Sequence, residues 1–409
     1  MMRAWPLVFC FGCRALLGID EAVPLPGDGA PREVGADDAI DAFTVDVPAI
    51  TDDVAHVRSE DEYTGTGALS ITGDWLLDTT TLISTPDLPG GVTFTVASQD
   101  GGGPELAILR VDTLSISQNR MLRATGTRPL VVLANSITID GRLDAGAIKD
   151  QPGAGGALGG TGAGGSGMRI VQSDSGGGGG GYGEAGAVGG ISTCVLDCNP
   201  DAVVPAGAIG ILYNSGLGKL EGGSGGGVAV PPVQPTLCPA GVGGAGGGAV
   251  QLYARTTITI GDNGSINAAG GGGRGGFACM APDNVLGGNG GGSGGAIFLQ
   301  APAVTNQGTI AANGGGGGSG AGNGGNGIDG EDGRIATSSA QGGNQAGTLS
   351  TRGGNGGTGG QDPQNGGNGG DRANAGGGGG GVGWLVVFYK TTWNAGTTSP
   401  NAITQDYGD

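Results

Sequence analysis

Three strand-forming stretches of this chain each lead, through a short turn, into a long block of glycine. Each copy consists of an apolar strand, a turn and a Gly-x-(Ile or Leu)-x-Ala segment, and the copies lie at residues 129–145, 248–268 and 295–312. The glycine blocks follow Ala145, Ala268 and Ala312. A fourth strand, residues 384–389, follows the last glycine block and lacks the second half of the unit. Because one such unit cannot bury its apolar face alone, the units must stack on one another.

The pattern elsewhere also favours strands. From about residue 65 onward, short runs rich in β-branched residues alternate with Gly, Pro, Asp and Asn, and no window has a helical period. The sequence therefore predicts an all-β protein, built as a parallel β-helix-like stack of short strands with long glycine-rich inserts projecting from one side.

The inserts allow two interpretations. Neighbouring glycine chains can pair as extended polyglycine II-like segments, because they have no Cβ atoms to hold them apart. In triplets such as Gly356-Gly357-Thr358 we then expect the third position to be exposed. The alternative is that the glycine blocks are flexible linkers.

Composition and charge narrow the function classes. Glycine supplies 100 of the 409 residues and charged residues only 13%, yet 37% are hydrophobic, so part of the chain can bury a core. The net charge of −18 argues against nucleic acid and anionic membrane surfaces as partners, since phosphate binding needs clustered Lys and Arg. The only histidine, His56, lies in an acidic tract, which argues against a catalytic triad or a His-rich metal site.

The N-terminus is typical of an exported protein. Residues 1–19 begin with one arginine, Arg3, followed by an apolar run that is too short to cross a membrane, as in a bacterial secretion signal. Residues 10–13, Cys-Phe-Gly-Cys, resemble the lipobox of bacterial lipoproteins, which implies acylation of Cys13 and a membrane contact only through that anchor. The alternative for this segment is a buried N-terminal strand.

The remaining chain divides by composition. Residues 20–66 contain thirteen carboxylates among Pro, Gly and Ala and are predicted to be a disordered acidic spacer. This start is similar to that of uncharacterised lipoproteins of myxobacterial type. The spacer is followed by β-rich units at 67–148, β-units with glycine-rich inserts at 149–383, and a terminal strand and tail at 384–409.

Residues 129–383 resemble the glycine-rich PE-PGRS-like repeat proteins, through Gly-Gly-x tracts such as Gly-Gly-Asn-Gly-Gly-Thr-Gly-Gly at 353–360. The Pro-Glu helical domain of that family is missing, because residues 1–66 have no helical pattern. The resemblance implies a structural protein of the cell surface or the extracellular space.

Four cysteines lie in the inserts. In a secreted chain disulfides are favoured over zinc, and four cysteines allow three pairings. We predict the pairs Cys194–Cys198, as a local ring, and Cys238–Cys279, as a staple between two inserts.

Two function classes remain. One is a non-enzymatic structural or adhesive protein that binds extracellular polymers or other cells, glycans among them, weakly and at many points. The other is a carbohydrate-active or carbohydrate-binding β-helix protein, which needs paired carboxylates on neighbouring strands. Asp140 and Asp144, which flank Arg142, are the nearest candidates, although their alternation also fits a solvated face. We predict the first class, with no catalytic residue, cofactor or metal ligand.

Overall fold

The computed structural model describes residues 53–170, 173–194, 202–214, 217–229, 241–278, 286–323, 325–370 and 373–407. Every described residue belongs to one compact unit, which lies within Val45–Asp409. The described ranges contain strands, one 3-10 turn at Ser59–Asp61 and no α-helix. Nothing among them forms a helix suited to spanning a bilayer.

The regular structure of these ranges consists of strands, some with alternating buried and exposed residues and others buried along their whole length. Their bounds are β1 Ala68–Ile71, β2 Trp75–Asp78, β3 Ile83–Thr85, β4 Thr93–Ala97, β5 Leu106–Arg110, β6 Thr113–Ile116, β7 Met121–Thr125, β8 Leu130–Ile139, β9 Arg142–Asp144, β10 Arg169–Ile170, β11 Ser173–Asp174, β12 Ser192–Cys194, β13 Ala202–Val204, β14 Ala249–Ile260, β15 Ser265–Asn267, β16 Ala296–Gln300, β17 Ala303–Asn306, β18 Thr309–Ala311, β19 Trp384–Tyr389, β20 Thr392–Asn394, β21 Thr397–Ser399 and β22 Ile403–Asp406.

Two large sheets enclose the main core. The eleven-stranded sheet follows the order β1-β6-β8-β14-β16-β19-β22, with β4, β5, β17 and β20 attached, and the seven-stranded sheet follows β21-β18-β15-β9-β7-β2-β3. Aliphatic side chains from both sheets form one buried cluster, because like residues stack in register from strand to strand. Ile137 on β8, Ile258 on β14 and Val304 on β17 are one such column, and none of the three is exposed to solvent.

The predicted parallel β-helix is wrong, because the sheets are mixed. β2 pairs with β3 and β4 pairs with β5 in antiparallel register, and β10–β11 and β12–β13 are two further antiparallel pairs. Tight connections explain the reversals in the large sheets. Leu82, between β2 and β3, has a φ of 59°, and Gly101 to Gly103, between β4 and β5, have φ of 71° to 124°, conformations that turn the chain back on itself.

The predicted arrangement of the glycine-rich inserts is also wrong, because the glycine segments do not project separately from one side of the strands. Segments 176–181, 222–227, 288–294, 314–318 and 376–381 are buried and hydrogen-bond to one another through their backbones. Gly290 N donates to Gly227 O at 2.8 Å, and Gly290 O accepts from Gly244 N at 2.8 Å. A Cβ on Gly290 would lie 1.9 Å from Gly178 O. These segments therefore form a packed body in which the backbones themselves are in contact.

Residues 53–63, which we call the N-terminal strap, pack across the outer side of the eleven-stranded sheet. Val54 and Val57 are each 4% exposed and join a second apolar cluster on that side. Gln251 Nε2 donates to Ala55 O at 2.6 Å, and Ala55 N donates to Gln300 Oε1 at 3.0 Å. The sequence predicts that these residues belong to the disordered acidic spacer. In the structure, the described part of that spacer is held against the sheet by apolar contacts and by hydrogen bonds to buried glutamine amides.

An ion pair fastens the end of the strap. Arg110 Nη2 lies 3.1 Å from Asp61 Oδ1, and the Arg110 side chain is 1% exposed whereas that of Asp61 is 28% exposed. The Arg110 guanidinium also lies 4.3 Å from the ring centre of Tyr63. A buried guanidinium needs such partners, because removing it from water is unfavourable.

We expect Asp61→Asn to lower the free energy of unfolding by about 1–2 kcal/mol, less than a fully buried pair because water reaches Asp61. Glu60→Gln is the matched control, since Glu60 and its ion-pair partner Arg58, 3.9 Å away, are both exposed. Its effect should stay within about 0.5 kcal/mol. Urea unfolding of both variants measures the difference. Equal effects would contradict a stabilising role of the ion pair between Arg110 and Asp61.

Candidate functional site

Six parallel strands present a two-row array of small polar side chains to solvent. The strands lie in the order β1, β6, β8, β14, β17 and β20, and all five neighbouring pairs are parallel. We call their twelve outward positions the hydroxyl face. One row is Ala68, Thr113, Ser136, Thr257, Ala303 and Thr392, and the other is Ser70, Ser115, Thr138, Thr259, Thr305 and Asn394.

Alternation within the strands produces this face. In β14 the sequence Thr257-Ile258-Thr259-Ile260 places both isoleucines in the core, so both threonines point outward. The same two-residue pattern occurs in the strands on either side, and the registers align outward positions with outward positions. Ser115 Oγ donates to Ser70 Oγ at 3.2 Å, which links two neighbours along one row.

The hydroxyl face carries no charge and no aromatic ring at any of its twelve positions. Nine of the twelve residues are Ser or Thr, and the others are two alanines and one asparagine. Thr138 and Thr257, on the two central strands, are exposed, and so is Ser70 at one edge. The chain as a whole has a net charge of −18, so an uncharged area that crosses six strands contrasts with its acidic composition.

The predicted carboxylate candidates do not form an acid–base pair. Asp144 is 6% exposed; it accepts from Arg123 Nη1 at 3.0 Å, and from Asn267 Nδ2 and the Gly146 N–H at 2.9 Å each. Asp140 and Arg142 are exposed. The expected solvated face is therefore wrong for Asp144, whose contacts are those of a structural carboxylate that joins β7, β9 and β15.

His56 is half-buried and hydrogen-bonded, contrary to its predicted place in a solvated tract. Its Nδ1 lies 2.8 Å from Gln251 Oε1 and its Nε2 lies 2.6 Å from Leu217 O. Its ring meets that of Phe298 edge to face, at 5.0 Å between centres. Burial lowers the pKa of His56, against the opposing effect of these hydrogen bonds. Since both ring nitrogens contact an amide or carbonyl oxygen, the ring holds the strap in place.

Two carboxyl groups in the glycine-rich region have strongly displaced pKa values. Burial raises the pKa of Asp174 to about 7, although Arg169 lies 3.2 Å away. Burial also raises the pKa of Glu184 to about 7, together with a hydrogen bond to Asp362 and repulsion from it. Within the described ranges no group of three or more His, Cys, Asp and Glu residues is placed to hold a metal ion.

The predicted acylation site and most of the predicted disulfide cysteines lie outside the described residues. Cys13, the proposed acylation site, and Cys198, Cys238 and Cys279 are outside the described residues. Cys194 ends β12, but its side chain is not described. Acylation at Cys13 and the pairs Cys194–Cys198 and Cys238–Cys279 stay predictions.

No family model, curated protein or solved structure matches this chain. The similarity to PE-PGRS-like proteins, which rests on glycine tracts, therefore stays a prediction.

Sequence reasoning missed the hydroxyl face. The signal is present as Ser/Thr-aliphatic-Ser/Thr at 113–115, 136–138 and 257–259. In the repeats this motif lies between the apolar strand and the Gly-x-(Ile or Leu)-x-Ala segment, a stretch that the sequence pattern predicts only as a turn. The strand register is what brings these short motifs side by side.

Proposed function

We propose that this chain is an exported, non-enzymatic adhesive protein, and that its hydroxyl face binds an extended, uncharged surface with repeating hydrogen-bonding groups. The observation that carries the proposal is the two-row array of Ser and Thr on six parallel strands. Such an array repeats the same chemistry at regular intervals, so it suits a partner that is itself repetitive.

The lack of charge sets the chemistry of the partner. A partner held by phosphate or carboxylate groups would need Lys or Arg on the face, and none is present at the twelve positions. Hydroxyl groups both donate and accept hydrogen bonds, so the face can match neutral donors and acceptors in either orientation. Packed neutral glycans of extracellular polymers or of other cells belong to this class of partner.

The binding mode is many weak contacts. One exposed hydroxyl gains little by exchanging water for a partner group. A row of them on one rigid sheet gains more, because the first contact brings the others into place. The support is rigid, since an apolar column of Ile and Val with no exposure lies directly beneath the central strands.

The N-terminal sequence supports export and attachment. The signal-like residues 1–19 and the lipobox-like Cys13 favour delivery to the cell surface or outer membrane, or release from the cell. The acidic stretch that follows would separate the folded unit from a membrane. The described strap, residues 53–63, would fasten that tether to the large sheet.

The experiment measures retention on neutral solids. The full chain, displayed on beads, is passed over uncharged polysaccharide particles such as crystalline cellulose and chitin, at low and at high salt. We expect retention that is nearly insensitive to salt, because no charged group takes part. Thr257→Lys should abolish most of that retention, because it places an ammonium group in the middle of the face.

Thr397→Lys is the matched control, because Thr397 is an exposed threonine on β21 of the other large sheet. It should retain the binding of the unmodified protein. Thermal melts of both variants establish that they fold. Retention that falls steeply with salt, or that Thr257→Lys leaves unchanged, would contradict adhesion through this face.

A further inference from the structure

We infer that the partner of the hydroxyl face is the surface of an ice crystal. The inference rests on the proposed function, since it names the partner of the same face. It follows from the spacing of the array, the kind of side chain it contains and the chemistry that it lacks.

The spacing between strands is close to that of a water lattice. Neighbouring strands lie about 4.7–4.9 Å apart, and outward residues two positions apart in a strand lie about 6.7 Å apart. Water oxygens that hydrogen-bond tetrahedrally at about 2.8 Å place second neighbours about 4.5 Å apart and repeat at about 7.3 Å along the stacking axis of ice. Both repeats of the face are therefore within about a tenth of those of ice.

The small difference between the strand spacing and the ice spacing indicates which strands should contribute most to binding. Between strands the two repeats differ by about 0.3 Å, so the misfit reaches about 1 Å after three intervals. A patch of three or four strands can match the lattice, whereas all six cannot do so at once. The central strands β8 and β14 carry four hydroxyl residues, at 136, 138, 257 and 259. These positions should dominate binding.

The side chains fit ordered water better than they fit sugar rings. Sites for small organic ligands are concave and lined by apolar and aromatic side chains. The hydroxyl face has no aromatic ring, and Trp393 of β20 packs against the main core instead. Threonine offers a hydroxyl that anchors a water molecule and a methyl group that limits where the water can lie. An ordered water molecule that bridges two surfaces is nearly as favourable in enthalpy as a direct hydrogen bond.

The test measures incorporation of the full chain into slowly growing ice, together with thermal hysteresis and the shape of single ice crystals in its presence. We expect the protein to be enriched in the ice fraction and to shape the crystals. Thr138→Tyr and Thr257→Tyr each place a ring across the central rows, at exposed strand positions where tyrosine is well tolerated. Each should reduce incorporation to the level of a non-binding protein.

Thr397→Tyr on β21 is the control and should leave incorporation unchanged. If the unmodified protein is excluded from ice, or if all three variants lose incorporation equally, the assignment of ice is overturned. Retention on polysaccharide particles that Thr257→Tyr abolishes, without any incorporation into ice, would reject ice and leave adhesion through the face intact. Absence of binding to every solid would overturn both proposals.

Discussion

Gly290→Ala is expected to destabilise the protein by at least about 3 kcal/mol, the range of the most damaging core substitutions. The added Cβ would lie 1.9 Å from Gly178 O and 2.5 Å from the carbonyl carbon of the same residue. A clash with a side chain can be relieved by a change of rotamer, but here the obstacle is backbone. Gly290 also takes part in hydrogen bonds to Gly227 and Gly244, so the segment cannot shift without breaking them.

Gly360→Ala is the control for this experiment. A Cβ at Gly360 meets no atom within 4 Å, and the residue lies in an exposed turn. We expect it to be neutral or to stabilise by about 0.4–1 kcal/mol, because alanine restricts the unfolded chain. Thermal and urea unfolding separate the two variants. Similar stabilities would mean that the glycine segments behave as flexible linkers, the interpretation that composition alone allows.

Much of the strand content could be predicted, because strands leave a local signal. The alternation in Thr257-Ile258-Thr259-Ile260 and the apolar run 384–388 both lie in strands of the structure. Pairing direction could not be predicted, because it depends on connections such as the one at Leu82, whose positive φ has no signature in a leucine. The sequence pattern therefore predicted strands and repeats correctly and the sheet arrangement incorrectly.

The glycine triplets show the same limit. Thr358 was expected to be exposed as the third residue of its triplet, but it is 4% exposed. A triplet position faces solvent only where its segment is outermost, and at this point residues such as Gln361 pair with Thr358 through the backbone. Which segment is outermost depends on contacts between distant parts of the chain, so a period of three residues does not reveal it.

The hydroxyl face and the N-terminal strap could not be predicted from the sequence, for related reasons. Each of the six strands supplies two outward-facing residues to the hydroxyl face, and within one strand such a pair is an ordinary alternating pattern. Only the strand register aligns the six pairs into two rows. The strap was hidden because its acidic composition is typical of a spacer. The strap is attached through a few particular side chains, among them His56 and Asp61. The overall composition of the segment does not indicate which side chains make such contacts.

The protein is expected to be more stable at pH 5 than at pH 8. Burial raises the pKa of Asp174 from 3.8 to about 7, while Arg169 opposes that rise, and the pKa of Glu184 rises from 4.5 to about 7. Between the unfolded and the folded pKa, the folded protein keeps protons that the unfolded chain has lost. Because the folded state binds more protons, the free energy of unfolding falls as pH rises through this window and the loss is complete above about pH 7.

Asp174 should account for most of this effect. Its side chain is 1% exposed, and its pKa of about 7 lies about 2 units above pH 5, so the free energy of unfolding should fall by about 3 kcal/mol between pH 5 and pH 8. Glu184 contributes less, because it is only partly buried and water screens its charge. The net charge of −18 at pH 7 acts in the same direction, since deprotonation increases self-repulsion. The role of Asp174 must therefore be separated from that general effect by substitution.

Asp174→Asn makes that separation. The amide has nearly the shape of the carboxyl group and does not titrate, so the variant should lose most of the difference in unfolding free energy between pH 5 and pH 8. Asp140→Asn, which removes an exposed carboxylate, should keep the difference seen in the unmodified protein. Urea unfolding at the two pH values measures both variants. If the two substitutions reduce the pH dependence by the same amount, the dependence comes from overall charge, and the carboxyl group of Asp174 is not protonated in the folded protein at pH 5.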